Sequence, residues 1–163
     1  MGGTREMRGV SPEALLCEGC VLARLQVADS RGLMARLAEP LSRSSGFAAP
    51  LIAERLIERE RVGTTALGGG TAIPHARLPG LRARTTVFAT LARPLDMAAL
   101  DGEPVDAVFG LISPEDAGAD HLKALAAISR FFRDKDLLRR LRGADSNDAL
   151  LALLCHAGWS EAA

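Results

Sequence analysis

The run Val105-Asp106-Ala107-Val108-Phe109-Gly110-Leu111-Ile112 is almost wholly apolar. A strand with one face in water alternates apolar and polar side chains, so this run fits a central strand covered on both faces. A second β-rich run, Thr85 to Leu91, precedes it, and Asp101-Gly102 between the two carries turn chemistry. Upstream, Val21, Ala23, Leu25 and Val27 alternate within residues 20–27 as a half-buried strand does.

Helical patterns interleave with these strands. Asp29-Ser30 caps a helix whose Leu33, Met34, Leu37, Ala38 and Leu41 share one face, and Pro40 marks a kink or an early end. Pro50 suits a first helical turn, followed by the stripe Ile52, Ala53, Leu56 and Ile57 to about Arg61. After Pro114 a helix is expected over about 119–132, packing through Leu122, Leu125, Ala126, Ser129 and Phe132. Shorter helices follow at 136–142 and 146–156. The expected class is therefore α/β, a three-layer sandwich with one mixed β-sheet flanked by helices.

A chain of 163 residues with 48% apolar and 25% charged side chains suits one globular domain with a real core. Twenty basic and twenty acidic side chains balance, so no global field favours nucleic acid or an anionic membrane. No segment approaches the roughly twenty apolar residues of a membrane span, and a cytoplasmic protein without membrane insertion is expected. Cys17, Cys20 and Cys155 read as reduced, mostly buried thiols; Cys17-Glu18-Gly19-Cys20 has C-x-x-C spacing but no second such pair.

From Gly63 to Gly80 periodicity gives way to a loop of Gly, Thr, Pro and one His. Gly68-Gly69-Gly70 permit positive φ, and the N–H groups of Gly69 and Gly70 can form a concavity for an anion. Gly69-Gly70 stand where a P-loop requires Lys-Ser/Thr, which disfavours nucleotide binding. Pro74 fixes the backbone beside His75 and biases Ile73 to an extended conformation, aiming the imidazole in a defined direction. Imidazole near neutral pH is a nucleophile able to form a covalent phosphoryl intermediate. Arg77 and the threonines, Thr65 among them, supply donors for phosphate oxygens.

This stretch resembles the active-site signature of the fructose- and mannitol-type enzyme IIA family of the bacterial phosphotransferase system. Glu60, Leu67, Gly68, Ala72, Ile73, Pro74, His75 and Ala76 fit the signature, and Thr71 stands where an aliphatic residue is usual. The resemblance implies that His75 is the phosphorylated nucleophile. It also implies an arginine sixteen residues earlier and a second histidine forty-six residues later, positions held by Arg59 and His121. His121 falls in the first turn of its helix, where the partial positive charge favours a neutral ring and attracts a phosphoryl group. Arg59 adds a planar, permanently charged donor. Such transfer depends on positioning and charge stabilisation, so neither a metal nor a cofactor is required.

Residues 15–157 are expected to form the enzyme IIA domain, between an N-terminal extension (1–14) and a tail (158–163). Leu95-Asp96, the segment from Asp101 to Asp106, and Pro114-Glu115 before Asp120-His121-Leu122 look most like the nitrogen-regulatory branch. That branch implies an HPr-like phosphocarrier protein as donor and regulated target proteins, such as sensor kinases or transport proteins. Two alternatives stand beside it: a sugar-specific component passing phosphate to a IIB domain, and a non-catalytic binding module on the same fold, which Trp159 and the tail would suit as a docking element. A zinc site from His75, His121, His156 and a cysteine matches no short-range ligand spacing.

Overall fold

The computed structural model describes residues 20–156. Six strands form one mixed sheet: β1 (Val21–Leu25), β2 (Ala66–Gly68), β3 (Thr71–Ala72), β4 (His75–Leu78), β5 (Thr85–Leu95) and β6 (Val105–Pro114). Five helices flank it: α1 (Ser30–Ser45), α2 (Ala49–Val62), α3 (Ala119–Phe131), α4 (Lys135–Gly143) and α5 (Asn147–His156). The strand order is β1-β5-β6-β3-β2, with β4 also paired to β6. β5 and β6 are antiparallel, whereas β3 and β4 both run parallel to β6 at successive points along its length.

β6 is covered on both faces, as its apolar run requires. Val105, Val108 and Ile112 pack with Leu33, Leu37, Ile52 and Leu56 of α1 and α2. Ala107, Phe109 and Leu111 face Ile128 and Phe131 of α3 and Leu141 of α4. Phe88, Phe109 and Phe131 meet edge to face with centroids 5.6–5.9 Å apart, a geometry that adds about 0.5–1.5 kcal/mol per pair beyond burial. Gly110 is required in the middle of the strand: a Cβ there would lie 2.8 Å from Val87 Cγ1. Among the described residues no helix is long and apolar enough to cross a membrane.

Several expectations need correction. α1 does not stop at Pro40 but continues to Ser45, and Pro40 is buried in the helix's apolar face beside Leu37 and Leu41, so its packing offsets the lost backbone bond. The stretch 63–80 is not one loop; it holds three short strands. The buried face of α3 is turned by one residue from that expected, with His121, Ala124, Ala127, Ile128 and Phe131 inward and Leu122 67% exposed. The expected stripe began at Leu122 and left His121 out of the packing face, which hid that phase. Cys20 is buried but disulfide-bonded and Cys155 is free but exposed, so a buried, reduced thiol is found at neither. Trp159 lies outside the described residues.

Candidate active site

α2 ends where its last turn delivers two side chains. Gly63 caps the helix, its N–H donating to the Glu60 carbonyl, and Arg59 Nη1 donates to the Gly63 carbonyl at 3.0 Å. The Glu60 carboxylate turns toward Thr65, accepting from its backbone N–H at 3.1 Å and from its hydroxyl at 2.6 Å. Thr65 is thereby fixed, and its carbonyl accepts from the Ile73 N–H at 3.0 Å. The Ile73 carbonyl in turn accepts from His75 Nδ1 at 2.7 Å. A chain of hydrogen bonds thus runs from Glu60 through Thr65 and Ile73 to the imidazole.

The backbone of His75 is held from the other side by the sheet. Leu111 N–H donates to the Pro74 carbonyl at 2.9 Å, and His75 pairs with Leu111 at the start of the β4–β6 ladder. Because a carbonyl only accepts, Nδ1 carries the proton, and the lone pair of the neutral ring resides on Nε2. The side chain is half-buried. Burial pushes the imidazole below its ordinary value, with the Arg59 and Arg77 charges acting in the same direction and the Ile73 carbonyl and Glu60 against it.

His121 comes from the first turn of α3, and its ring centroid lies 5.4 Å from that of His75. It is 7% exposed, and its Nδ1 shares a 2.8 Å hydrogen bond with the hydroxyl of Ser113, itself buried at the end of β6. Its pKa is pushed down to about 4, chiefly by burial and then by His75 and Arg77. Both rings are therefore neutral near pH 7. Arg59 and Arg77 form no ion pair among the described residues. Two neutral imidazoles beside two uncompensated guanidiniums make a place for an anion with several oxygens.

The sequence profile of the family described as "Phosphoenolpyruvate-dependent sugar phosphotransferase system, EIIA 2" matches residues 14–157. The chain belongs to this EIIA type 2 family. It is 43% identical over 145 residues to a nitrogen regulatory protein of Bradyrhizobium diazoefficiens, covering 89% of this chain and 91% of that one. The crystal structure of nitrogen regulatory protein IIA-Ntr from Neisseria meningitidis superposes with a TM-score of 0.79 at 31% identity, covering 86% of this chain and 96% of that one. Mannitol IIA from Escherichia coli shares the fold, with a TM-score of 0.71 at 19% identity over 85% of this chain and 98% of that one.

In this EIIA chain, then, the structure brings His75 and His121 together with Arg59, expected from spacing, and Arg77, expected as a donor beside the loop. Other expected support residues do not join them. Gly69 and Gly70 form the turn between β2 and β3, whose partner on β6 is Ala107, four residues before the partner of His75. At about 3.3 Å per residue that places the turn about 13 Å along β6 from the backbone of His75. The Gly69 N–H is also engaged, donating to Asp101 Oδ2 at 2.8 Å. Thr65 lies under the site with its hydroxyl donated to Glu60, so it supports the loop. Sequence reasoning assigned no role to Glu60 or Ser113. A carboxylate five residues before a threonine that precedes the loop was the available signal for the first; a hydroxyl ending an apolar strand was the signal for the second. Among the described residues, no group of three or more His, Cys, Asp and Glu side chains is gathered as a metal site would need.

Proposed function

We propose that this protein is a phosphocarrier that takes a phosphoryl group onto His75 Nε2 from an HPr-like protein and acts as a regulator of partner proteins. The observation that carries the reading is the pair of neutral rings 5.4 Å apart, flanked by Arg59 and Arg77 without counter-ions among the described residues. The Nε2 lone pair forms the new P–N bond while the bond to the donor's nitrogen breaks and its electron pair returns to the donor. The Nδ1 proton stays on the ring, and the Ile73 carbonyl stabilises the positive charge the ring acquires. Arg59 and Arg77 take the equatorial oxygens, where charge is spread in the transition state. Neutral His121 donates a further hydrogen bond without repelling the phosphorylated ring. A cytoplasmic location, within reach of such a donor, belongs to the same reading.

The regulatory role rests on the similarity to the nitrogen regulatory protein of Bradyrhizobium diazoefficiens. Phosphorylation adds roughly two negative charges beside His75, enough to repel or recruit a partner covering that loop. Intact-mass measurement after incubation with phosphoenolpyruvate, enzyme I and an HPr-like carrier tests the chemistry: an acid-labile adduct is expected on wild type. Absence of any adduct would favour a binding module. Pull-downs with and without phosphoenolpyruvate test the role; rapid onward flow to a sugar through a IIB protein, with no partner altered, would replace it with the transport reading.

A further inference from the structure

At the other end of the sheet from His75, β1 and β5 are irregular at the same place. The β1–β5 register shifts between Leu22 and Leu25, and Arg24 in that interval has φ +52, which a non-glycine residue rarely adopts. The β5–β6 register shifts between Thr90 and Leu95, so residues 91–94 bulge from the ladder. The Arg24 backbone is held there by its N–H, which donates to Thr90 Oγ1 at 2.9 Å. Between the two irregularities lies a hollow of about 460 Å³, lined by Arg24, Gln26, Thr90, Leu91, Asp106 and Arg142, with Ala92 at its rim. That volume is in the range that holds a small metabolite.

The chemistry of the lining is one-sided. Asp106 is its single acid, and Arg142 Nε already donates to Asp106 Oδ1 at 2.8 Å. Arg142 Nη2 donates to the Gly69 carbonyl at 2.8 Å, which leaves further N–H groups of its five. Neither the Arg24 guanidinium nor the Gln26 amide has a hydrogen-bond or ionic partner among the described residues. Donors and one uncompensated positive charge therefore face a space that β5 lines through Thr90 and Leu91. Strained residues and paired bulges cluster where a fold presents side chains to a ligand.

We propose that this hollow binds a small organic oxyanion, with Arg24 and Arg142 holding its charged oxygens and Gln26 and the Thr90 hydroxyl donating to the remainder. Carboxylates and phosphate monoesters share the chemistry required. A ligand on Arg142 is also felt at the glycine turn, because the same guanidinium holds Gly69. Binding here is independent of what His75 accepts.

The test is titration of the full-length, nitrogen-15-labelled protein with succinate, glycerol phosphate and inorganic phosphate, each at ionic strength matched with KCl. Expected are saturable shifts of the Arg24, Gln26, Ala92, Asp106, Arg142 and Gly69 amides with succinate or glycerol phosphate, the better ligand naming the source of the oxyanion. Arg24→Gln is expected to weaken that binding tenfold or more, and Gln26→Ala, at an exposed position, severalfold. No saturable shift up to about 10 mM, tenfold above a millimolar Kd, would overturn the proposal. So would shifts confined to His75, Arg59 and Arg77, or equal affinity in wild type and both variants.

Discussion

The two ends of β6 use polar groups differently, although residues 63–78 contribute to both. At the N-terminal end the charged and carbonyl groups around the glycine turn are matched by others: Asp101 by the Gly69 N–H, the Gly70 carbonyl by Asp106 and Ala107 N–H, and Asp106 by Arg142. At the C-terminal end two guanidiniums lack counter-ions among the described residues and two imidazoles are held neutral. A satisfied polar group mainly stabilises the fold, and what Arg142 has left for a ligand at the N-terminal end are the N–H groups these bonds do not use. Groups held in place yet left unsatisfied are available to a ligand, and their desolvation makes each charge act more strongly.

Removing the nucleophile breaks the contrast most sharply. His75→Ala is expected to abolish the phosphoryl adduct in intact-mass measurements. Its cost in stability is about 1 kcal/mol in urea denaturation, since one hydrogen bond to Ile73 is lost from a half-buried position. Full labelling of the variant would move the chemistry elsewhere. Next in size, Arg59→Gln is expected to slow transfer about a hundredfold by removing one oxyanion donor. Asp101→Asn, at the opposite end, keeps an acceptor for Gly69 and is expected to leave the transfer rate unchanged. Equal rates in Arg59→Gln and wild type would reduce Arg59 to a helix-end contact with Gly63.

The fold was legible where pattern and length agreed. The apolar run of β6 and the helix around Pro50 follow from side-chain patterning, the Asp29 cap from its side-chain acceptor, and the helix after Pro114 in its extent though not in its buried face. The short strands β2, β3 and β4 did not, because elements of two to four residues carry no period; they exist through their ladders to β6 and to each other. At the site, His75 was legible from Pro74 and the signature, and His121 from its distance along the chain. The inward turn of His121 was not, because a histidine counts as polar until the serine that receives it, Ser113, is seen beneath it. Gly69 and Gly70 misled for a related reason: a glycine run reads alike whether it cradles an anion or simply turns the chain.

Acidification separates the ends by a smaller effect. His121 falls from the usual 6.5 to about 4 in the fold. A lowered histidine pKa means the unfolded chain binds more protons in this window, so stability is full above pH 6.5 and declines as pH falls toward 4. The slope approaches 1.4 kcal/mol per pH unit for one group, and the lowered His75 pKa adds in the same direction. Urea midpoints measured from pH 7 to 4 check this; His121→Gln is expected to flatten the decline. An unchanged profile in that variant would assign the decline to other groups.

The smallest effect tests the glycine turn itself. Gly70 has φ +78, and a Cβ there would lie 2.7 Å from Arg142 Nη2, 3.2 Å from Asp106 Oδ1 and 3.4 Å from the Pro104 carbonyl. Gly70→Ala therefore imposes a left-handed conformation on an L-residue, at about 1–2 kcal/mol, and pushes Arg142 off the Gly69 carbonyl. The expected result is a lower urea midpoint with an unaltered rate of phosphoryl transfer, because the turn lies about 13 Å along β6 from His75. Measurement well below the melting transition separates the two quantities. If the rate fell tenfold while the protein remained folded, the glycine turn would belong to the transfer machinery after all, and the division between the two ends of β6 would fail.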